Sequence, residues 1–278
     1  MERRIIADSS SNVTSLSNVP FANAALKMIV DGKEYVDDER LDVPAFREVL
    51  ADTKGKTSTS SPNIGDWLDA FGDADEVFAV ALTSGISSGY NSALSAASLY
   101  ESRRSDAHIF VLDSRSTGPE LELIVEEYAH LIKLGLPFYD IVSQVEAYSR
   151  RTHLMFSLSS VNNFARNGRV SPLIAKMAGT LKVHIVGQAS ELGELELLNK
   201  VRGCGASLDQ LLVNMKAAGF DGGKVRLRHT ANLQAAQDLA ELICSDFPEC
   251  DILVGENRGL CSYYAEPGSV LVGFESIK

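Results

Sequence analysis

The chain has 278 residues, of which 45% are hydrophobic and 23% are charged, and its formal net charge is −11. This length and composition are typical of a globular protein with two domains of ordinary size. The acidic balance, with no dense cluster of lysines and arginines, excludes nucleic acid as an expected partner. The apolar run after Arg3 and Arg4 is too short for a signal peptide, and no later stretch could span a bilayer. We therefore expect a cytoplasmic protein with no stable membrane insertion.

The cysteines give no indication of a disulfide framework or a metal site. Cys204, Cys244, Cys250 and Cys261 contain no C-x-x-C pair, and the five histidines show no ligand spacing with them. We expect reduced thiols, no metal and no cofactor.

The first elements in chain order are a strand over residues 3–7 and a polar turn over residues 8–12, whose carboxylate and hydroxyls can cap the next segment. An apolar run at 25–30 then reaches Asp31-Gly32, a strong turn signal, so a hairpin is expected through residue 36. Helical spacing of apolar residues comes next, at 43–51.

Five consecutive hydroxyl residues occupy positions 57–61 and are followed by Pro62. The pattern is typical of a loop before a helix, and apolar residues at helical spacing do follow, at Ile64, Trp67, Leu68 and Phe71. We expect this cluster to reach the same sheet edge as a second group of hydroxyls further along the chain.

That second group, Thr83 to Tyr90, lies between an apolar strand and a helix that continues to about Leu99. Free backbone N–H groups and neutral hydroxyls at such a turn suit a small anion. Three interpretations remain open. Gly85-x-Ser87-x-Gly89 matches the nucleophile elbow of a serine hydrolase or esterase; alternatively, Ser87 donates to a bound carboxylate or phosphate, or the turn merely caps the helix.

A strand at 109–112 and helices over 121–132 and 138–148 complete the first half. Alternating strands and helices predict a mainly parallel sheet with helices on both faces. Beyond residue 150, apolar runs lie at 154–158 and 161–165, paired strands at 181–186 and 194–201, helices near 208–215 and 233–243, and strands at 224–228, 251–255 and 269–274. This order predicts an α/β protein of two α/β domains, residues 1–152 and 153–278, the second with a mixed sheet.

Several stretches together resemble the DegV family of bacterial fatty-acid-binding proteins, which serve as the lipid-carrying subunit of fatty acid kinase. The matching stretches are ADSS at 7–10, MIVDGKEYVDD at 28–38, TSTSSP at 57–62, TSGISSGYNSA at 83–93, LDS at 112–114, NGRVS at 167–171, KVRG at 200–203 and RHTAN at 228–232. They occur in the family's order along nearly the whole chain.

The resemblance implies a long-chain fatty acid whose acyl chain is buried and whose carboxylate is held by Thr59 and Ser87, with Ser60 in the same motif. Arg169 corresponds to an arginine that supports the carboxylate. The resemblance also implies a separate fatty acid kinase as the partner that forms an acyl phosphate. The chain has no P-loop of its own.

The sequence departs from the family pattern at four places. Ser61 replaces a glutamine, Ser88-Gly89 replaces glycine-threonine, His184 replaces a proline, and the family's late histidine aligns with Ala265. A lost hydrogen-bond donor must be replaced, and the candidates are Tyr263, Tyr264, Arg169 or an ordered water. Arg169 is favoured because its charge is permanent. An esterase would need a histidine after its last strand, whereas the last histidine here is His229, some fifty residues from the end.

Overall fold

A computed structural model describes residues 2–176 and 183–277. The strands are β1 (Arg3–Asp8), β2 (Phe21–Ala24), β3 (Lys27–Val30), β4 (Lys33–Val36), β5 (Thr57–Ser60), β6 (Glu76–Ala81), β7 (His108–Asp113), β8 (Thr152–Leu158), β9 (Val183–Ala189), β10 (Leu195–Arg202), β11 (Lys224–Thr230), β12 (Asp251–Glu256) and β13 (Ser269–Glu275). The helices are α1 (Val43–Asp52), α2 (Ile64–Phe71), α3 (Gly89–Arg103), α4 (Pro119–Lys133), α5 (Phe138–Ser149), α6 (Asn162–Arg166), α7 (Pro172–Ala175), α8 (Cys204–Ala217), α9 (Leu233–Asp246) and α10 (Gly259–Ala265).

The first sheet has the strand order β2-β1-β6-β7, and all of its strands are parallel. Every residue of β6 is buried, as expected for an inner strand of a parallel sheet. Alternate residues of β6 face opposite layers: Val77 packs with α2 and α3, whereas Phe78 packs with α4 and α5. The predicted parallel sheet with helices on both faces is confirmed.

The second sheet has the order β10-β9-β8-β13-β11-β12. Among its described strands, β11 and β12 alone are paired in parallel, so the predicted mixed sheet is also confirmed. Helices α8 and α9 cover one face through the core that includes Leu211 and Leu239. Of the predicted strand at 181–186, Leu181 and Lys182 lie outside the described residues.

Helix α4 lies between the two sheets and packs on both. Its Glu126 is paired with Arg226 of β11 at 2.6 Å, and its Glu122 is paired with Arg228. The backbone of Pro119 comes so close to β13 that a Cβ on Gly273 would lie 2.5 Å from it. The strands of the first sheet all end before residue 152, and the strands of the second sheet begin with β8 at Thr152. The domain boundary expected between residues 152 and 153 stays a prediction, because α4 packs on both sheets.

A small third sheet, in the order β4-β3-β5, is antiparallel and contains the predicted hairpin. The expectation of a loop at 57–61 is wrong for Thr57–Ser60, which form strand β5, since their backbone pairs with β3. The sheet packs on α10 through a core that includes Met28 and Leu260. Asp37 fixes that helix by accepting bonds from the N–H groups of Gly259 and Leu260, at 3.0 and 2.9 Å.

Four short elements had no clear counterpart in the sequence patterns. Strand β2 and helices α7 and α10 were not predicted, and most of the apolar stretch at 161–165 belongs to helix α6 rather than extending a strand. Within the described residues, no helix combines the length and the apolar character needed to cross a bilayer.

Candidate functional site

A cavity lies between the inner face of the second sheet, strand β5, helix α10 and the turn after β6. The wall is mostly apolar and is formed by Leu26, Leu82, Ile86, Leu154, Phe156, Leu158, Phe164, Ala189, Leu195, Leu260, Ala265 and Leu271. Polar atoms come from Thr59, Ser61, Thr83, Ser87, Ser116, Thr117, Arg169, Glu194, Cys261 and Tyr264. Sequence patterns alone could not assign these apolar residues to a cavity, because the same alternation also forms a closed core.

The two hydroxyl clusters meet at this cavity, as the sequence predicted. Ser87 Oγ lies 3.1 Å from Ser61 Oγ, and Ser87 Oγ also accepts a bond from the N–H of Gly89. Thr59 lines the cavity, whereas Ser60 is exposed and does not. Successive side chains of a strand point to opposite faces, so Thr59 and Ser60 cannot both face inward. Ser61, which replaces the family's glutamine, was not among the predicted binding residues, yet it contacts Ser87 directly.

Tyr264 joins the polar end of the cavity from helix α10. Its hydroxyl lies 2.8 Å from Thr59 Oγ1, and its ring packs on Phe164 with centroids 4.7 Å apart. Burial raises the pKa of Tyr264, while the hydrogen bond with Thr59 and the positive charge of Arg169 oppose the rise. The phenol is therefore neutral near pH 7 and can both donate and accept. Arg169 is exposed to solvent but also lines the cavity, so it stands at its mouth.

Ala265 does not belong to this polar group. It is buried in the apolar wall with Leu154, Phe156 and Leu271. The neighbouring Tyr263 does not line the cavity, and its hydroxyl bonds Thr57 at 2.7 Å and Asn167 at 2.8 Å.

The tip of the β9–β10 hairpin closes one end of the cavity. Gly193 and Glu194 line the cavity. A Cβ on Gly193, where φ is +73°, would lie 1.9 Å from Thr83 Oγ1, so the tip fits closely on the hydroxyl turn. Arg115 donates to the carbonyl of Glu191 at 3.1 Å and ties the tip to the loop after β7. This close approach requires glycine at position 193.

Asp8 stabilises the turn after β6 through a hydrogen bond to its backbone. It is fully buried and accepts bonds from the N–H of Leu82 at 2.6 Å and from Ser10 Oγ at 2.5 Å. Burial raises the pKa of Asp8 to about 6, although these hydrogen bonds favour the ionised form. Asp8 ends β1 at the carboxyl edge of the sheet and caps the turn that follows, in agreement with the capped turn predicted over residues 8–12.

A serine hydrolase would need a histidine base hydrogen-bonded to Ser87. No histidine is hydrogen-bonded to Ser87 in residues 2–176 and 183–277; His184 instead lies 3.1 Å from Ser157 Oγ. Burial lowers the pKa of His184. Across those same ranges, no group of three or more His, Cys, Asp or Glu side chains is placed to hold a metal ion.

The fold and the cavity define an α/β protein with a mostly apolar cavity that also contains a cluster of hydroxyl groups. The chain belongs to the DegV family, whose model, described as "Uncharacterised protein, DegV family", matches residues 3–276. A DegV domain-containing protein of Streptococcus pneumoniae, spr0652, is 37% identical, and the match covers 99% of each chain.

Solved structures of two relatives are similar to this chain over 99% of both chains in each case. A DegV family protein from Eubacterium eligens, loaded with heptadecanoic acid, is 38% identical with a TM-score of 0.95. The Fatty Acid Kinase (Fak) B3 protein of Streptococcus pneumoniae, loaded with linoleic acid, is 37% identical with a TM-score of 0.96.

Proposed function

We propose that this chain binds one long-chain fatty acid, with the acyl chain in the apolar cavity and the carboxylate at Thr59 and Ser87. The observation that carries the proposal is the meeting of a leucine-rich wall with a cluster of neutral hydroxyls in one cavity. The loaded ligands of the two solved relatives, heptadecanoic acid and linoleic acid, support the same ligand class.

The energetics divide between the two ends of the ligand. Burial of an acyl chain contributes about 0.8 kcal/mol per methylene, so roughly a dozen methylenes give near 10 kcal/mol before ordering costs. Each hydrogen bond to the carboxylate adds about 1.5–3 kcal/mol. The wall therefore sets most of the affinity, and the hydroxyls set which end of the lipid is at the mouth.

Organic extraction of the purified protein followed by mass spectrometry tests the proposal. We expect close to one fatty acid per chain, and we expect delipidated protein to take up added fatty acid. A nucleotide or sugar in the cavity, or no uptake of fatty acid, would contradict the proposal.

The head-group residues are tested by Thr59→Val and Ser87→Ala. We expect each to weaken fatty-acid binding about tenfold, since each removes one hydrogen bond to a charged oxygen. Ser60→Ala is the matched control, because Ser60 neighbours Thr59 on β5 but is exposed, and it should bind like the parent. An equal loss in all three variants would argue against this assignment.

The same proposal includes a partner kinase in the cytoplasm. The kinase would transfer the γ-phosphoryl group of ATP to a carboxylate oxygen of the bound fatty acid, giving an acyl phosphate and ADP. The chain has no P-loop, so ATP is expected on the partner. ATP consumption by the isolated chain in the presence of fatty acid would contradict this division of roles.

A further inference from the structure

Cys244 and Cys250 are a pair of neighbouring thiols at the surface of the second half of the chain. Cys244 is exposed in the last turn of α9, and Cys250 is half-buried just before β12 begins. Their sulfur atoms are 3.9 Å apart. Since the sulfurs of a disulfide are about 2.05 Å apart, these two have to approach by about 2 Å, which rotation of the two side chains about their Cα–Cβ bonds can provide.

The turn that connects the two cysteines is held in place by backbone bonds and by one aromatic ring. The N–H of Phe247 donates to the carbonyl of Ile243 at 2.8 Å, and the N–H of Cys250 donates to the carbonyl of Phe247 at 3.2 Å. The ring of Phe247 packs edge-on against Phe220, with centroids 4.9 Å apart. The two thiols are therefore kept together before any bond forms between them, so little loop-closure entropy remains to be lost.

The other two cysteines have different surroundings. Cys261 is buried, and its thiol donates to a backbone carbonyl at 3.2 Å. Cys204 lies at the start of α8, where its sulfur accepts a bond from a side-chain amide at 3.9 Å. All four cysteines belong to the part of the chain that the structure describes, and among them only Cys244 and Cys250 have each other as a hydrogen-bond partner.

We propose that Cys244 and Cys250 are a redox modification site, at which a low-molecular-weight disulfide such as glutathione disulfide oxidises the two thiols to a reversible internal disulfide. Disulfides that form inside cells are usually transient and respond to the redox state. Residues 244–250, all of which are described, lie outside the cavity lining. The inference is therefore independent of the proposed function.

The oxidation takes place in two exchange steps. The thiolate of Cys244, the more exposed of the two, attacks one sulfur of glutathione disulfide and releases one glutathione, which leaves a mixed disulfide on Cys244. The thiolate of Cys250 then attacks the Cys244 sulfur, forms the internal disulfide and releases the second glutathione. The two protein thiols lose two electrons and two protons, and glutathione disulfide takes these up to become two molecules of glutathione.

The surroundings of Cys250 agree with this order of attack. Burial and the hydrogen bond with Cys244 raise the pKa of Cys250 to about 11, so Cys250 is protonated near neutral pH. That hydrogen bond is lost once Cys244 carries glutathione. Cys250 then ionises more readily, and it already lies beside the sulfur that it attacks.

The test incubates the purified protein with glutathione disulfide, blocks the remaining thiols with N-ethylmaleimide after denaturation, and digests the protein with trypsin. Cleavage after Arg228 and Arg258 gives the peptide 229–258, whose only cysteines are Cys244 and Cys250. In the parent we expect this peptide to carry neither maleimide nor glutathione and to lack both thiol hydrogens. Dithiothreitol added before the maleimide should restore both thiols.

Cys250→Ser removes the second thiol, and Cys204→Ser is the matched control. In Cys250→Ser we expect glutathione to persist on Cys244 at least about tenfold longer than in the parent, because no neighbouring thiol can displace it. Cys204→Ser should form the internal disulfide as the parent does.

Three results would overturn the proposal. The first is a parent peptide that carries two maleimides after the incubation, since its thiols would then not have reacted. The second is glutathione that persists on Cys244 equally long in the parent and in Cys250→Ser. The third is a disulfide in the parent that joins two chains rather than two residues of one chain.

Discussion

Glu120 provides a sharp test of how burial controls the stability of this fold. It lies in the first turn of α4, is 5% exposed, and accepts a bond from Thr152 Oγ1 at 2.8 Å. Burial raises the pKa of Glu120 from 4.5 to about 7. We expect Glu120→Gln, which keeps the shape and cannot ionise, to remove a pH-dependent loss of stability.

The magnitude comes from linkage between ionisation and folding. The folded state holds the Glu120 proton more tightly than the unfolded chain does, so stability is unaffected below pH 4.5 and falls as pH rises towards 7. A shift of this size corresponds to about 3 kcal/mol at 1.36 kcal/mol per pKa unit. The full loss should therefore be present at pH 8 in the parent and absent in Glu120→Gln.

Urea unfolding at pH 4.5 and pH 8 measures this difference. We expect similar midpoints at pH 4.5, and at pH 8 a midpoint for Glu120→Gln that is about 1 M higher, given a slope of about 3 kcal/mol per M. Asp8 also has a raised pKa, near 6, but it is present in both proteins and cancels in the comparison. A difference between variant and parent that is the same at both pH values would refute the reasoning.

Three further substitutions have definite expected outcomes. Asp37→Ala should lower the free energy of unfolding by about 3 kcal/mol and weaken fatty-acid retention, because it leaves two buried N–H groups of α10 unpaired; denaturant unfolding and retained lipid measure the two effects. Gly193→Ala should lower the melting temperature more than Gly135→Ala does, because both glycines have φ near +74° but, of the two, only position 193 lacks space for a Cβ. Similar losses in the two variants would contradict the close contact between Gly193 and Thr83. Ala265→His should weaken fatty-acid binding by burying an imidazole in the apolar wall, and unchanged or stronger binding in a Kd measurement would show that this wall tolerates a polar group.

The parallel sheet could be predicted because residues 77–81 of β6 are an uninterrupted apolar run, which is typical of a strand covered on both faces. Strand β5 could not be predicted in the same way. Its sequence, Thr-Ser-Thr-Ser, is equally typical of a loop, and its strand conformation depends on pairing with β3, some thirty residues earlier in the chain.

The polar residues that line the cavity were predicted in part for a similar reason. The convergence of Thr59, Ser87 and Arg169 on one cavity agrees with the sequence analysis, whereas Tyr264 was only one of several candidates. An alignment fixes position along a helix to within a residue, but one residue turns a side chain by about 100° around the helix axis. That rotation separates Tyr264, which contacts Thr59, from Ala265, which lies in the apolar wall.

The contact between Thr59 and Tyr264 also bears on how the protein folds. These residues are 205 positions apart in the chain. Contacts of such long sequence range form late, because closing a long loop is entropically costly until the intervening structure is in place. The polar end of the cavity is therefore expected to assemble only when α10, close to the C-terminal end of the described chain, docks on the third sheet. Partly synthesised chains that end before α10 would then lack this part of the cavity.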